Sequence, residues 1–545
     1  MTPSRSTTSS RLRPLLLCIG LLAVLLGGAA GCAKSATGAA KGNVLHMANG
    51  TEPSDLDPQT VTGRPESTII RTLMEGLVIP DPKTLKPMPG QAESWEISDD
   101  GLVYTFHLRP DAKWSNGDPV TAEHFITSWK RILTPSLGSE YAYMLFPVVG
   151  AEAYNKGELT DFAQTGFKAL DERTIQITLD HPTSYLLEVM HHYSWYPIHP
   201  PTVAKFDGME RKGSRWTRPG NYVGNGPFVL TEWIPNQHIQ IAPSPTYWGA
   251  DQVKLDGVRF YPIDSEDAEE RMFRTGQLDV TNSVPLSKID HYRDERSDVL
   301  RLDDFMAAAY FRVNVNKPQL QDPRVRRALG LAIDRDGLAY EVLRGVKLPG
   351  FSFCPKMPGY TPPATFEDNV EAAKALLAEA GFPNGEGMPP IEILYPTSDS
   401  GRIVCEALQA MLRENLNIDV RLYNQEWKVY LNSMNEQDYD LAWSAWIGDY
   451  VDPLTFFDMM VTDGGNNRTG WSNPHYDELV EQALAVRDEA QRKAIFDEME
   501  QILGSDVPVI PLYTYTRSFL IDPAVKGWNP TLLDIHPLQN VWLER

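Results

Sequence analysis

The tightest constraint on this chain is the order of elements between Ile391 and Pro453. IEILYP (391–396) is a short apolar run of strand type. Residues 401–415 then carry Ile403, Val404, Ala407, Leu408, Met411 and Leu412 at the spacing of a helix buried on one face. IDVRLYN (418–424) alternates as a strand, a second helix is predicted from Glu426 to Met434, and DLAWSAW (440–446) returns as a third strand. Strands alternating with helices over such short links predict right-handed crossovers and a parallel sheet. Ligands of open α/β sheets bind beyond the carboxyl ends of the strands. Just past this last strand stands Asp449, in Gly448-Asp449-Tyr450. An aspartate there is ordinarily a cap or turn residue. Trp427, Trp443 and Trp446 lie near it in sequence, however, and indole walls would make its carboxylate a strong site for an ammonium group.

At 545 residues the chain is too long for one hydrophobic core, so two or three domains are expected. Its 42% hydrophobic and 22% charged residues are those of a folded globular protein. A net charge of −22 argues against a nucleic-acid surface or a polybasic membrane patch.

Arg5, Arg11 and Arg13 precede an apolar run from Leu15 to Leu26, and small residues then lead to Cys32. This is the pattern of a secretory signal over 1–31, and no other stretch nears the ~20 apolar residues of a membrane span. Cys32 after Ala-Gly resembles a bacterial lipoprotein box, although Ala29 stands where leucine is usual. Lipidation at Cys32 would leave 32–42 as a small, polar tether. Cys354 and Cys405 then remain, and an exported compartment permits either a disulfide or two separate buried thiols.

Val44 to Met47 reads as a first strand, and 67–77 as a helix. Residues 92–108 read as a hairpin around Asp99-Asp100-Gly101. Thr121 can cap a helix that has Glu123 in its first turn and Phe125, Ile126, Trp129, Ile132 and Leu133 on its buried face. EPSDLDP with ESTIIRTLMEGL, YTFHLRPDAKWSNGDPVTAEHFITSWKRIL, YVGNGPFVL, YWG, LDGVRF, DPRVRRALGLAIDRD and GDYVDP together resemble the extracellular solute-binding proteins of family 5. These are the oligopeptide and dipeptide capture subunits of ABC importers, and the likeness spans nearly the whole chain after the signal.

The resemblance implies an α/β fold of the two-lobed periplasmic-binding-protein class II type, with an extra subdomain in the first lobe. Lobe one would comprise 43–75, 222–300 and 514–545, the extra subdomain 76–221, and lobe two 301–513. Two crossings, near 300 and 513, would make a hinge. The family's W-x-x-D-Y motif, matched by Trp446 to Tyr450, implies that Asp449 binds a peptide's α-amino group. Thr62, Gly63 and Arg64 on one lobe and Ala445, Trp446 and Ile447 on the other would pair with peptide main chain. Trp427 matches a pocket wall, and Tyr141 or Tyr143 a pocket tyrosine.

Two departures stand out. Met434 and Trp443 occupy positions where oligopeptide binders carry arginines for the peptide carboxylate, and Ala307 and Ile447 replace a cystine. The first leaves carboxylate recognition open, and with it the choice between a free peptide and a modified or murein-derived one.

His191, His192 and His199 lack metal-ligand spacing, and neither G-x-S-x-G nor a phosphate-binding loop occurs. Val229 breaks a dinucleotide fingerprint at Gly224-Asn225-Gly226-Pro227. The expectation is therefore a non-enzymatic oligopeptide-capture subunit without cofactor or metal. It would be an extracytoplasmic monomer that meets the membrane only through a lipid anchor and the importer's permease subunits. The same fold with an oligosaccharide, nickel-chelate, haem or glutathione ligand is the alternative. An exported hydrolase or a non-transporting sensor stands further off.

Overall fold

The computed structural model describes residues 42–545 apart from 184, 426 and 487. The signal, Cys32 and most of the tether lie outside the described residues.

Two long antiparallel strands, Leu300–Val313 and Val509–Leu520, join the two halves of the molecule. Their register runs from Leu300↔Leu520 to Arg312↔Val509, with irregularities after Asp304 and Ala309. Beyond Leu520, Val280 bridges both Ile521 and Met47. Met47 belongs to a four-stranded sheet ordered Val44–Ala48, Gly257–Tyr261, His238–Pro243, Phe228–Ile234. At their other end the long strands form the middle of a six-stranded sheet. Its order is Lys347–Pro349, Val509–Leu520, Leu300–Val313, Leu441–Ile447, Ile391–Pro396, Val420–Gln425.

The stretch that most constrained the sequence folds as its pattern requires. Ile391–Pro396 pairs in parallel with Val420–Gln425 and with Leu441–Ile447, linked through helices Asp399–Leu416 and Trp427–Asn435. The sheet as a whole is mixed, because Leu300–Val313 runs antiparallel to both of its neighbours. Ala307 and Ile447, which stand in place of a cystine, face each other in that register.

Each sheet buries its own apolar face. Ile391, Ile393, Leu408, Leu412, Leu441 and Ile510 form the core under the six-stranded sheet. Leu45, Ile69, Ile70, Val258 and Phe260 form that of the four-stranded sheet, joined from the C-terminal end by Phe519, Ile521 and Leu538. A third sheet (Ala92–Ile97, Val103–Leu108, Thr174–Thr178, Phe167–Ala169) packs with helix Ala122–Leu133 around Phe106, Trp114, Phe125 and Trp129. Tyr193, Tyr196, Ile198, Val203 and Trp216 pack with the four-stranded sheet. Cys354 and Cys405 are both buried and free, and they belong to different cores.

Helix Arg64–Leu73 begins three residues before the apolar spacing predicts, because Pro65 is pre-set for a first turn. Its far end is held by GNGP. A Cβ at Gly224 would meet the Leu73 carbonyl oxygen at 2.0 Å, and one at Gly226 the Leu73 carbonyl carbon at 2.6 Å. Between these glycines, Asn225 accepts from the Glu75 N–H and donates to the Glu75 carbonyl. The loop entering the helix is fixed by Arg131, whose side chain is fully buried. Arg131 donates to both Asp57 carboxylate oxygens (3.1 and 2.6 Å), to Gln59 Oε1 (2.6 Å) and to the Gly208 carbonyl.

Removing one partner of such a pair strands the other charge in the interior. Arg131→Met should cost about 3–5 kcal/mol of stability in urea unfolding. Because the Asp57 loop leads into Thr62–Arg64, ligand affinity should fall with it.

Candidate functional site

Strand Leu441–Ile447 leaves one edge open. It pairs with Leu300–Val313 along its full length on one side, but with Ile391–Pro396 only at Leu441 and Ala442. From Trp443 onward that second edge has no strand neighbour among the described residues, which makes it a template for an added strand. At the strand's end the Gly448 N–H donates to the Met306 carbonyl (2.8 Å) and the Asp449 N–H to Thr455 Oγ1 (3.1 Å). Asp452, three residues on, caps Leu454 (2.9 Å) and pairs with Arg492. The Asp449 turn is thus anchored on both sides.

Asp449 opens into a cavity of about 620 Å³, within the roughly 300–1,000 Å³ of small-molecule sites. Ala445, Trp446 and Ile447 line the same cavity, and so do Thr62, Gly63, Arg64, Tyr141 and Tyr143. Residues far apart in sequence, from a strand, a helix start and a 3-10 turn, therefore meet in one place. The Thr62 backbone has no hydrogen-bond partner among the described residues, nor has the Gly63 N–H. Tyr143 and Ile447 are 45% and 55% exposed, large apolar surface left open inside a cleft.

Burial pushes the Asp449 carboxyl up to about 6, and the hydrogen bond from the Tyr143 hydroxyl (3.3 Å) opposes that rise. Asp449 in turn contributes, after burial, to the raised pKa of Tyr141, about 12, and of Asp458, about 7. Nearby, the Tyr185 and Tyr450 rings stack face to face, 4.5 Å between centroids and 4° from parallel. Tyr185 follows the third sheet in the chain and Tyr450 follows the strand of Asp449, so this stack ties together two segments far apart in sequence.

One expectation changes. Trp443 does not wall Asp449: it is buried in the core of the six-stranded sheet, six residues back along the chain. Met434 is buried against Tyr430 and Tyr439. Neither position lines the cavity. Trp427 starts a helix, and its side chain lies outside what the structure describes.

Sequence reading missed a group of charged residues on the cavity wall: Arg71, Arg517, Asp534 and His536, with Asn282 between them. They come from four separated segments with no shared motif. Of the three histidines near 191–199, only His192 reaches the cavity. Burial lowers the pKa of His191 to about 3 and that of His192 well below its usual value, so both are neutral.

Residues 86–468 match the model of the bacterial extracellular solute-binding proteins, family 5. The periplasmic oligopeptide-binding protein OppA of Escherichia coli (strain K12) is 35% identical over 535 residues, covering 94% of this chain and 95% of its own. Among solved structures, the Escherichia coli murein tripeptide binding protein MppA superposes with a TM-score of 0.79 at 32% identity, over 92% of this chain and 99% of its own. Haemophilus influenzae OppA in complex with RPPGFSPFR gives 0.76 at 31% identity, over 92% and 99%. The fold is accordingly that of the two-lobed class II periplasmic binding proteins.

The raised pKa of Asp449 fixes the sign of two pH effects. The folded protein holds this proton more tightly than the unfolded chain does, so stability is lost as pH rises from about 4 through about 6. Asp449→Asn should therefore stabilise the protein at pH 7.5, by no more than about 3 kcal/mol, and the gain should vanish near pH 4. Thermal melts across that range check it. Binding of a cation needs the ionised form, so affinity should be flat above pH 7 and fall by about tenfold per pH unit below 6. Tyr143→Phe should move that midpoint upward.

Proposed function

The chain belongs to the bacterial extracellular solute-binding proteins, family 5, and from that membership we propose that it captures oligopeptides outside the cytoplasm for an ABC importer. Asp449 receives the α-ammonium group, the one positive charge that every free peptide carries. The open edge at Ala445, Trp446 and Ile447 and the backbone at Thr62 to Arg64, free at Thr62 and at the Gly63 N–H, pair with the ligand's main chain. Side-chain identity then matters little to the main contacts. The observation that carries this reading is the ionisable, poorly solvated Asp449 at the end of an open strand edge, in one cavity with Thr62 to Arg64.

Capture proceeds by closure. One lobe is residues 43–75, 222–300 and 514–545 with the extra subdomain 76–221, and the other is 301–513. The two crossing strands act as the hinge between them. A ligand stabilises the closed form only to the extent that it contacts both lobes. No chemistry is performed on the ligand. A signal over 1–31 exports the chain, lipid at Cys32 tethers it, and it works as a monomer that presents its closed form to the permease subunits.

Calorimetry with a peptide panel tests the reading. Asp449→Ala should weaken binding at least about tenfold, since stripping one partner from a buried charge pair typically costs ~2–5 kcal/mol, and N-acetylation of the peptide should do the same. A peptide that binds equally well with its amine acetylated would refute the assignment. Native mass spectrometry of the purified protein should reveal co-purifying peptides.

A further inference from the structure

The cavity carries more positive charge than its own carboxylates neutralise. Arg64, Arg71 and Arg517 line it, against Asp449 and Asp534. Asp534 is shared. Its Oδ2 takes Arg517 Nε at 2.9 Å and the Arg64 guanidinium as well, while its Oδ1 faces His536 Nε2 at 3.0 Å. Burial alone would raise this carboxyl, but Arg64, Arg517 and His536 together hold it well below the usual carboxylate range. One negative charge therefore serves two guanidinium groups.

The remaining hydrogen-bond partners of these arginines are neutral, and Glu269 adds a further attraction on Arg517. Arg64 Nη1 donates to Asn282 Oδ1 (2.6 Å) and Arg517 Nη2 to the Asn282 carbonyl (2.9 Å). Arg71 Nη1 donates to the His191 carbonyl (2.7 Å), and its guanidinium carbon lies 5.7 Å from the centre of the Tyr193 ring. Arg71 has no ion-pair partner among the described residues. The Arg64 side chain is 45% exposed, at the open end of the network. It is also the first residue of helix Arg64–Leu73, whose first turn carries the Glu66 carboxylate. Beside Asp534, the His536 side chain is 8% exposed and its buried Nδ1 has no hydrogen-bond partner.

We infer that Arg64, backed by Arg517 and Arg71, accepts a carboxylate of the ligand, so that the cavity takes a zwitterion with its ammonium at Asp449. The inference rests on the peptide-capture reading and narrows it. It assigns to one cavity wall the role for which Met434 and Trp443, buried in their cores, are unsuited. It also gives Arg64 a side-chain function beyond the backbone pairing its sequence position suggests. The carboxylate is either the C-terminus of a short peptide or an acidic side chain. In both cases a guanidinium can bind two oxygens at once.

Calorimetry separates the cases, using trialanine, N-acetyl-trialanine, trialanine amide and Ala-Asp-Ala amide with the unaltered protein and with Arg64→Gln. Trialanine amide should bind the unaltered protein about tenfold more weakly than trialanine. In Arg64→Gln that penalty should shrink to about twofold or less, while the penalty for N-acetylation persists. Recovery of affinity by Ala-Asp-Ala amide, lost again in Arg64→Gln, identifies a side-chain carboxylate; no recovery identifies the C-terminus. An amidation penalty that is the same in both proteins overturns the role of Arg64 and leaves peptide capture standing. The same holds if both amides match trialanine in the unaltered protein, a result that needs no variant to fold. If none of the peptides binds the unaltered protein, both readings fall.

Discussion

An ionised carboxylate with one weak hydrogen bond, in a cavity of about 620 Å³, is the constraint on which the site depends. The two aspartates of this cavity show what is unusual about it. Asp534 is surrounded by cations of its own chain and stays charged at any ordinary pH. Asp449 is given only the Tyr143 hydroxyl, and its pKa rises. A protein that needed Asp449 for stability alone would have paired it. Leaving it unpaired costs folding energy, which makes sense when the missing cation arrives from outside.

The scaffold serves that arrangement. Leu300–Val313 holds Leu441–Ile447 in register on one side, so the strand stays rigid while its other edge is open beyond Ala442. Such an edge ordinarily invites aggregation. Here it lines the same cavity as Thr62 to Arg64. The Ala307↔Ile447 pair sits on the same strand. Seven register positions between Leu300–Val313 and Leu441–Ile447, from Ala307↔Ile447 to Val313↔Leu441, supply order there without a covalent link.

Local pattern and tertiary arrangement were unequally legible in the sequence. Helical and strand periods located Ile391–Pro396, Asp399–Leu416 and Leu441–Ile447 to within a few residues, because each buries one face and apolar spacing records that directly. Asp449 was legible because it follows a strand end, where α/β folds bind ligands. Trp443 was misread for the opposite reason. Proximity in sequence says nothing about which neighbour is still inside the core, and a strand carries a side chain from core to cleft within two residues. The Arg64, Arg517 and Asp534 network was invisible. Arg64 lies hundreds of positions from Arg517 and Asp534, and an isolated arginine or aspartate reads as solvated surface until the fold brings them together.

The contact between Tyr143 and Asp449 also bears on which ligands the site can favour. Any entering group must displace or share a hydroxyl that already donates to this carboxylate. A sugar hydroxyl would replace one neutral donor by another of the same strength and gain little. An ammonium brings a full opposite charge into a poorly solvated site, and so opposes the desolvation that raises the pKa. The Tyr143 ring, 45% exposed, then remains as apolar wall for whatever lies beyond the amine. On the proposed reading, the site discriminates by charge at one carboxylate and leaves shape to the rest of the cavity. That division suits ligands that share an end group and differ everywhere else.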